Sequence, residues 1–426
     1  MNMPVIPTGV SKLTAAFDVV ILNDSSVAKG GATSLALLSA QMLRARGYKV
    51  TFISGDSGDD GTLAASGITA VPMGGALLLD RTKLSAVTRG ILNTAIRDRI
   101  AQHIAQNDTP NTIYHLHGWS RILSPAVFDA LKPVARRSFI HAHDFFLGCP
   151  NGAFYDFRKS TACTRHPLSL SCLATNCDRR GYHHKVWRSL RSKAVKTHFD
   201  MALPWAGVLA LHPKMREPLE RSGIRGDLIK TLRNPARPFV SQRIKAEDNR
   251  RFCFIGRVEE SKGIDLLCKA ARLAQVRLRV IGDGAQREAL VKAYPEVEFT
   301  GWIDHADIPK HLGDVRALVM PSRTPEPFGL VAAEAVFSGL PVVLFDTSLL
   351  SEDVRTMGLG FVPDHISAES LADTLTRMDA LAPEQLRDIS ARGFEKPPAF
   401  ALSPDMWIDG LCAHYTCALS GVTADL

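Results

Sequence analysis

The sequence predicts an α/β chain of two doubly wound parallel-sheet domains, on three observations. Short apolar runs of strand type alternate with helix-period segments over most of the chain. Glycine-bearing turns follow predicted strands at Lys29-Gly30-Gly31, Gly256-Arg257 and Gly282-Asp283-Gly284. At 426 residues the chain exceeds one ordinary core and calls for two.

Composition narrows the class. Hydrophobic residues at 46% and charged residues at 22% describe a globular protein rather than a disordered one. No apolar run reaches the roughly 18 residues of a spanning helix. Met1 to Ala16 lacks a basic segment followed by an apolar core, so no signal peptide is expected. Cytosolic residence with reduced thiols follows as an expectation. A net charge of +8 suits an anionic substrate or membrane surface, and no nucleic-acid motif accompanies it.

Taken in order, Phe17 to Asn23 reads as a buried strand, Ala32 to Arg46 as a helix and Lys49 to Ser54 as the next strand. This is a right-handed βαβ unit, whose glycines let backbone approach a ligand at the strand's carboxyl end. Thr112 to Leu116, Ser138 to Ala142 and Phe199 to Leu203 are further strand candidates. The first two run into histidines, making His117, His143 and Asp144 cleft candidates.

Residues 149–198 read as an insertion. Cys149, Cys163, Cys172 and Cys177 fall in one turn-rich stretch, separated by thirteen, eight and four residues. Four clustered thiols in a reducing compartment are candidates for a tetrahedral structural zinc, with unligated packed thiols as the alternative. From Arg179 to Phe199 basic residues interleave with Tyr182, Val186, Trp187, Leu190 and Val195, and there is no acid. Such an amphipathic helix suits peripheral contact with an anionic bilayer or a lipid-linked acceptor; a solvated charged face is the plainer reading.

The polar run from Asn234 to Arg250 reads as a linker, dividing a first domain, 1–235, from a second, 236–400. Arg251 to Ile255, Arg277 to Ile281, Val297 to Thr300, Ala317 to Met320 and Pro341 to Phe345 are strands of the second sheet. Asp405 to Leu419 reads as a terminal helix.

The chemistry concentrates in the second domain. Arg257 and Lys262 flank the end of its first strand, where a fork and a point charge hold a diphosphate. The loop Pro327-Phe328-Gly329-Leu330 offers helix N-terminal amides to the same anion. Glu334 can accept two ribose hydroxyls, and Glu326 those of a second sugar. Together they describe a nucleotide-sugar site.

The same residues carry a resemblance. Gly256-Arg257 with Lys262-Gly263, Gly282-Asp283-Gly284, Phe299-Thr300-Gly301, Pro321-Ser322, and Glu326-Pro-Phe-Gly-Leu followed by Glu334, with Gly339 and Pro341, resemble the family 4 retaining glycosyltransferases. The resemblance implies a GT-B fold: two Rossmann-like domains facing a cleft, with the terminal helix, 401–426, returning to the first. It implies hexosyl transfer with retention, from a nucleoside-diphosphate sugar to a sugar or lipid-linked acceptor, in cell-surface polysaccharide or glycolipid assembly. No catalytic metal or other cofactor is required by that chemistry, and the place of work is the cytoplasm, with contact at the inner face of the membrane. A nucleotide-sugar epimerase on the same scaffold is the alternative. Carried over residue by residue, His143, Arg257, Lys262 and Glu326 are catalytic. Gly31, Gly256, Gly282, Asp283, Gly284, Phe328, Gly329, Leu330 and Glu334 bind the donor.

Overall fold

The computed structural model describes residues 17–28, 30–59, 61–77, 88–396 and 398–421. The segment Met1 to Ala16 and Lys29, both used in the sequence reading, lie outside them. The chain divides into two compact units. The first is Met1–Leu232 with Ile408–Leu426, and the second is Arg233–Trp407.

The first unit holds strands β1 (Asp18–Asn23), β2 (Lys49–Ser54), β3 (Thr69–Pro72), β4 (Thr112–Leu116), β5 (Ser138–Ala142), β8 (Gly207–Ala210) and β9 (Ile229–Thr231). They form one parallel sheet in the order β3-β2-β1-β4-β5-β8-β9. Strand order reverses between β1 and β4, which opens a crevice at their carboxyl ends. Helix Gly31–Ala45 follows β1 and buries Leu35, Ala36, Ala40 and Leu43, the helical stripe the sequence period anticipates.

Residues 199–203 are not a strand. Phe199 caps helix Tyr182–His198, and Asp200 then closes a turn. Its carboxylate accepts from the Ala202 amide, and its carbonyl accepts from the Leu203 amide and the Trp205 indole. Side-chain capture of the backbone displaces the strand onto β8. The segment 149–198 contains a two-stranded hairpin of β6 (Tyr155–Asp156) and β7 (Thr161–Ala162), helix Leu170–Ala174 and helix Tyr182–His198.

Helix Pro404–Ser420 spans the division between units at Trp407/Ile408. Tyr415 is fully buried in the first unit, its ring 5.9 Å from that of Phe17 and 5.5 Å from that of Phe139.

The second unit is a six-stranded parallel sheet of β10 (Arg251–Ile255), β11 (Arg277–Ile281), β12 (Glu298–Gly301), β13 (Val315–Met320), β14 (Val342–Leu344) and β15 (Gly360–Phe361). Its order is β12-β11-β10-β13-β14-β15, reversing between β10 and β13. The polar run 234–250 is no free linker. Arg243 and Arg387 both bond to the buried Glu247 carboxylate, and the Phe239 and Ile244 amides bond to Ser338. Arg243, Glu247 and Arg250 of this run pair within the second unit. Among the described residues no helix is long and apolar enough to cross a membrane.

Candidate active site

The second unit's switch point, between β10 and β13, gathers most of the predicted donor residues. Here three loops touch backbone to backbone, which explains the glycines. Gly263 (φ +70) ends the turn holding Lys262, and a Cβ there would lie 1.9 Å from the Pro321 carbonyl oxygen. Gly282 (φ +143) would drive a Cβ to 1.9 Å from the Gly256 carbonyl oxygen. Only glycine permits both conformation and approach. The Asp283 carboxylate accepts from the Gly284 amide at 2.7 Å, and its carbonyl accepts from the Val258 amide, so Asp283 braces the turn.

On this frame Lys262 pairs with Glu326, and Ser322 Oγ stands 3.5 Å from the same carboxylate oxygen. The sequence assigns these two charges to different parts of one ligand; the structure puts them in contact. Arg257 stands apart, largely exposed and paired with Glu259 at 2.9 Å. Gly329 (φ +77) caps helix Leu330–Phe337, turning the loop so that the first amides of the helix lead into it. The Phe328 side chain is buried in the core, leaving its backbone as the part available to a ligand. Glu334 meets His305 Nε2 at 3.4 Å, and this carboxylate raises the His305 pKa above its ordinary value. His305 is a site residue the sequence reading missed. It lies outside the spaced motif and has no neighbouring signal.

The first unit has its own pocket at its switch point, a cavity of about 140 Å³. Gly30 and Gly31 line it from the helix start, with Asn23 at the end of β1 and Asp24 after it, His117 after β4, and His143 and Asp144 after β5. Asp24 accepts three backbone amides, from Arg121 at 2.8 Å, Ile122 at 2.7 Å and Leu123 at 2.9 Å. Burial nevertheless raises its pKa. Burial also pushes Asp144 up to about 6. Arg191 lies behind the pocket, lowered to about 10 by burial, donating to the Ser120 carbonyl at 2.7 Å. His143 Nε2 lies 3.1 Å from His117 Nδ1, and burial lowers His143 to about 3. It is therefore a neutral imidazole near pH 7.

The basic helix Tyr182–His198 is two-sided in a way its composition conceals. Lys185 and Arg191 point inward and are buried, whereas Tyr182, Val186 and Leu190 are exposed. These three recur every four residues and so share one face. Leu170 and Leu173 are exposed beside them, and the Tyr182 hydroxyl donates to the Leu173 carbonyl.

The four cysteines are all free thiols. Lys185 Nζ donates to Cys172 Sγ at 3.3 Å and to Cys177 Sγ at 3.4 Å, while Cys149 Sγ faces Asn151 Oδ1 at 3.1 Å. Among the described residues, no three of these sulfurs gather within 4.8 Å of one another. The Lys185 ammonium group is thus seated between two of the thiols. Sequence spacing could not supply that, because Lys185 enters from the following helix.

Comparison with known proteins completes the picture. Residues 249–379 match the family described as Glycosyl transferases group 1. An uncharacterized 41.2 kDa protein in the cps region of Klebsiella pneumoniae is 36% identical over 126 residues, 29% of this chain and 35% of that one. The chain spans about a third of the length of the first curated relatives it matches, 35% and 30%. Among solved structures, sucrose-phosphate synthase from Thermosynechococcus elongatus superposes with a TM-score of 0.69 at 17% identity, over 95% of this chain and 100% of that one. The Anabaena protein HepE in complex with UDP gives 0.63 at 16% identity, over 94% and 100%. These likenesses show the fold, two parallel-sheet domains of the GT-B kind.

Proposed function

We propose that the chain, whose residues 249–379 are a glycosyltransferase group 1 domain, moves a sugar from a nucleoside-diphosphate sugar to a hydroxyl acceptor. The observation that carries this reading is the Lys262–Glu326 pair at the switch point of the second sheet. A cation suited to a diphosphate and an anion suited to sugar hydroxyls stand in contact where ligands bind in open α/β sheets. The UDP bound to HepE supports a nucleotide donor.

In this reading the donor separates the pair. Lys262 turns to the diphosphate, joined by Arg257, whose exposure leaves it free to swing inward. Glu326 accepts the hydroxyls of the transferred sugar, and Glu334 accepts those of the ribose in competition with His305. The Gly282–Gly284 turn leaves room for the base beside the strand end. The sugar C1–O bond breaks with its electron pair passing to the diphosphate, whose charge the cations stabilise. The acceptor oxygen then bonds to C1 on the same face, and its proton goes to the leaving phosphate oxygen, so configuration is retained. Neither Asp24 nor Asp144 is needed as a base.

Melting curves with a panel of nucleoside diphosphates test donor binding, since a tight ligand raises stability by mass action. NMR of the product anomer tests retention, and an inverted product would overturn that part. The acceptor belongs to cell-surface polysaccharide or glycolipid assembly, which the cps-region relative supports. The exposed Tyr182, Val186 and Leu190 face, set among Arg179, Arg180, Lys193 and Lys196, suits the surface of an anionic bilayer carrying a lipid-linked acceptor.

A further inference from the structure

We propose that His115, His117 and His141 form a metal site in the first unit that takes one divalent cation of the zinc type. One ring nitrogen of each lies within 4.8 Å of the others. All three side chains are buried, at 0%, 2% and 2% exposure. The arrangement follows from strand geometry. His115 and His117 are two residues apart and share a face of the sheet at β4, while β5 presents His141 alongside.

The dimensions suit an ion. Nitrogens bound at about 2.0–2.1 Å in a tetrahedron lie about 3.3 Å apart, with ring centroids about 5 Å apart. His115 Nε2 and His141 Nδ1 are separated by 3.2 Å. The ring centroids of the three are 5.2, 4.9 and 4.1 Å apart. Closure around an ion requires side-chain adjustment and no strand movement.

The outer partners set the protons. Tyr415 Oη sits 2.6 Å from His115 Nδ1, so an Nδ1–H donated to it leaves Nε2 bare for the metal. His143 Nε2 sits 3.1 Å from His117 Nδ1 and does the same for His117 Nε2. Such partners are what fix a metal-binding imidazole in its tautomer. His117 Nε2 is otherwise a buried ring nitrogen with no hydrogen-bond partner, an arrangement that proteins avoid. A purely hydrogen-bonded chain of imidazoles explains the contacts in pairs but leaves His117 Nε2 unsatisfied. His117 and His141 also line the pocket, so a fourth position opens to its solvent. An all-imidazole set selects zinc-like transition metals over magnesium or calcium.

The full chain, stripped with a chelator, is titrated with Co²⁺ and separately loaded with Zn²⁺. One equivalent of cobalt is expected to give visible bands of a four-coordinate site without near-ultraviolet thiolate charge transfer. X-ray absorption of the zinc form should show a nitrogen shell at about 2.0–2.1 Å and no sulfur shell at about 2.3 Å. His117→Gln should weaken zinc binding by at least about tenfold, Tyr415→Phe by about 10- to 100-fold, and Cys172→Ser not at all. If a histidine variant fails to fold, the wild-type cobalt and absorption spectra decide alone. No saturable uptake, a sulfur shell, or occupancy lost in Cys172→Ser would each overturn the proposal.

Discussion

Replacing Lys262 by methionine keeps most of the apolar stem of the side chain and removes its charge. Lys262 and Glu326 are each 24% exposed, which sets the structural cost. An ion pair that solvent still reaches contributes about 0–1 kcal/mol. For a unit of this size about 1 kcal/mol corresponds to roughly 2–4 °C, so Lys262→Met should melt no more than about 4 °C below wild type. The functional cost is larger. A hydrogen bond to a charged group is worth about 1.5–3 kcal/mol, which is about 10- to 150-fold in affinity for a nucleoside diphosphate. A donor aimed at charge that develops in the transition state is worth more, about 100- to 1,000-fold in kcat. Calorimetry with nucleoside diphosphates and initial rates of transfer measure the two losses, and melting measures the third. A folded Lys262→Met chain with near-wild-type affinity and turnover would refute the assignment. So would a loss of activity that merely tracks a collapse in melting temperature.

Four further outcomes follow from the same geometry. Gly263→Ala meets the Pro321 carbonyl and a left-handed backbone (φ +70), so denaturant unfolding should show at least about 1–2 kcal/mol of destabilisation. The Glu334 carboxylate raises the pKa of His305, so their pairing is present below the ordinary histidine value and lost as pH rises through the raised one. Nucleoside-diphosphate binding should therefore tighten across that rise by calorimetry, and His305→Ala should flatten the profile. Asp144 is raised to about 6 by burial, so the fold favours its neutral form, and stability falls as pH rises from the ordinary carboxylate range through that value. Asp144→Asn should narrow the difference in melting temperature between about pH 5 and about pH 8. Leu190→Glu should reduce co-sedimentation with vesicles rich in anionic lipid, and binding by the wild type should weaken as salt is added.

The parts of the fold legible in sequence are those fixed by short-range pattern. Val19 to Leu22 and Ala317 to Met320 are continuous apolar runs because both faces of their strands are buried. Gly263 and Gly282 announce themselves because a carbonyl oxygen occupies the space of their missing Cβ. What sequence could not show is pairing across long separations. Tyr415 lies 300 positions from the His115 it contacts, and His305 reaches Glu334 of helix Leu330–Phe337 from the segment after β12. Asp200 carries a turn where β-propensity suggested a strand, since a carboxylate beside free amides outcompetes a weak strand preference. Proximity in sequence groups the cysteines but does not show that Lys185 meets Cys172 and Cys177 or that Asn151 meets Cys149.

The division of the chain has a consequence for how it is made. The second unit is one unbroken segment, Arg233–Trp407, whereas the first needs Ile408 onward to complete it. The seat for Tyr415 among Phe17, His115 and Phe139 therefore stands open throughout synthesis of the intervening residues. The half translated first is finished last. A nascent chain stalled before Tyr415 holds a closed second unit and a first unit with an apolar vacancy, the form a chaperone would recognise.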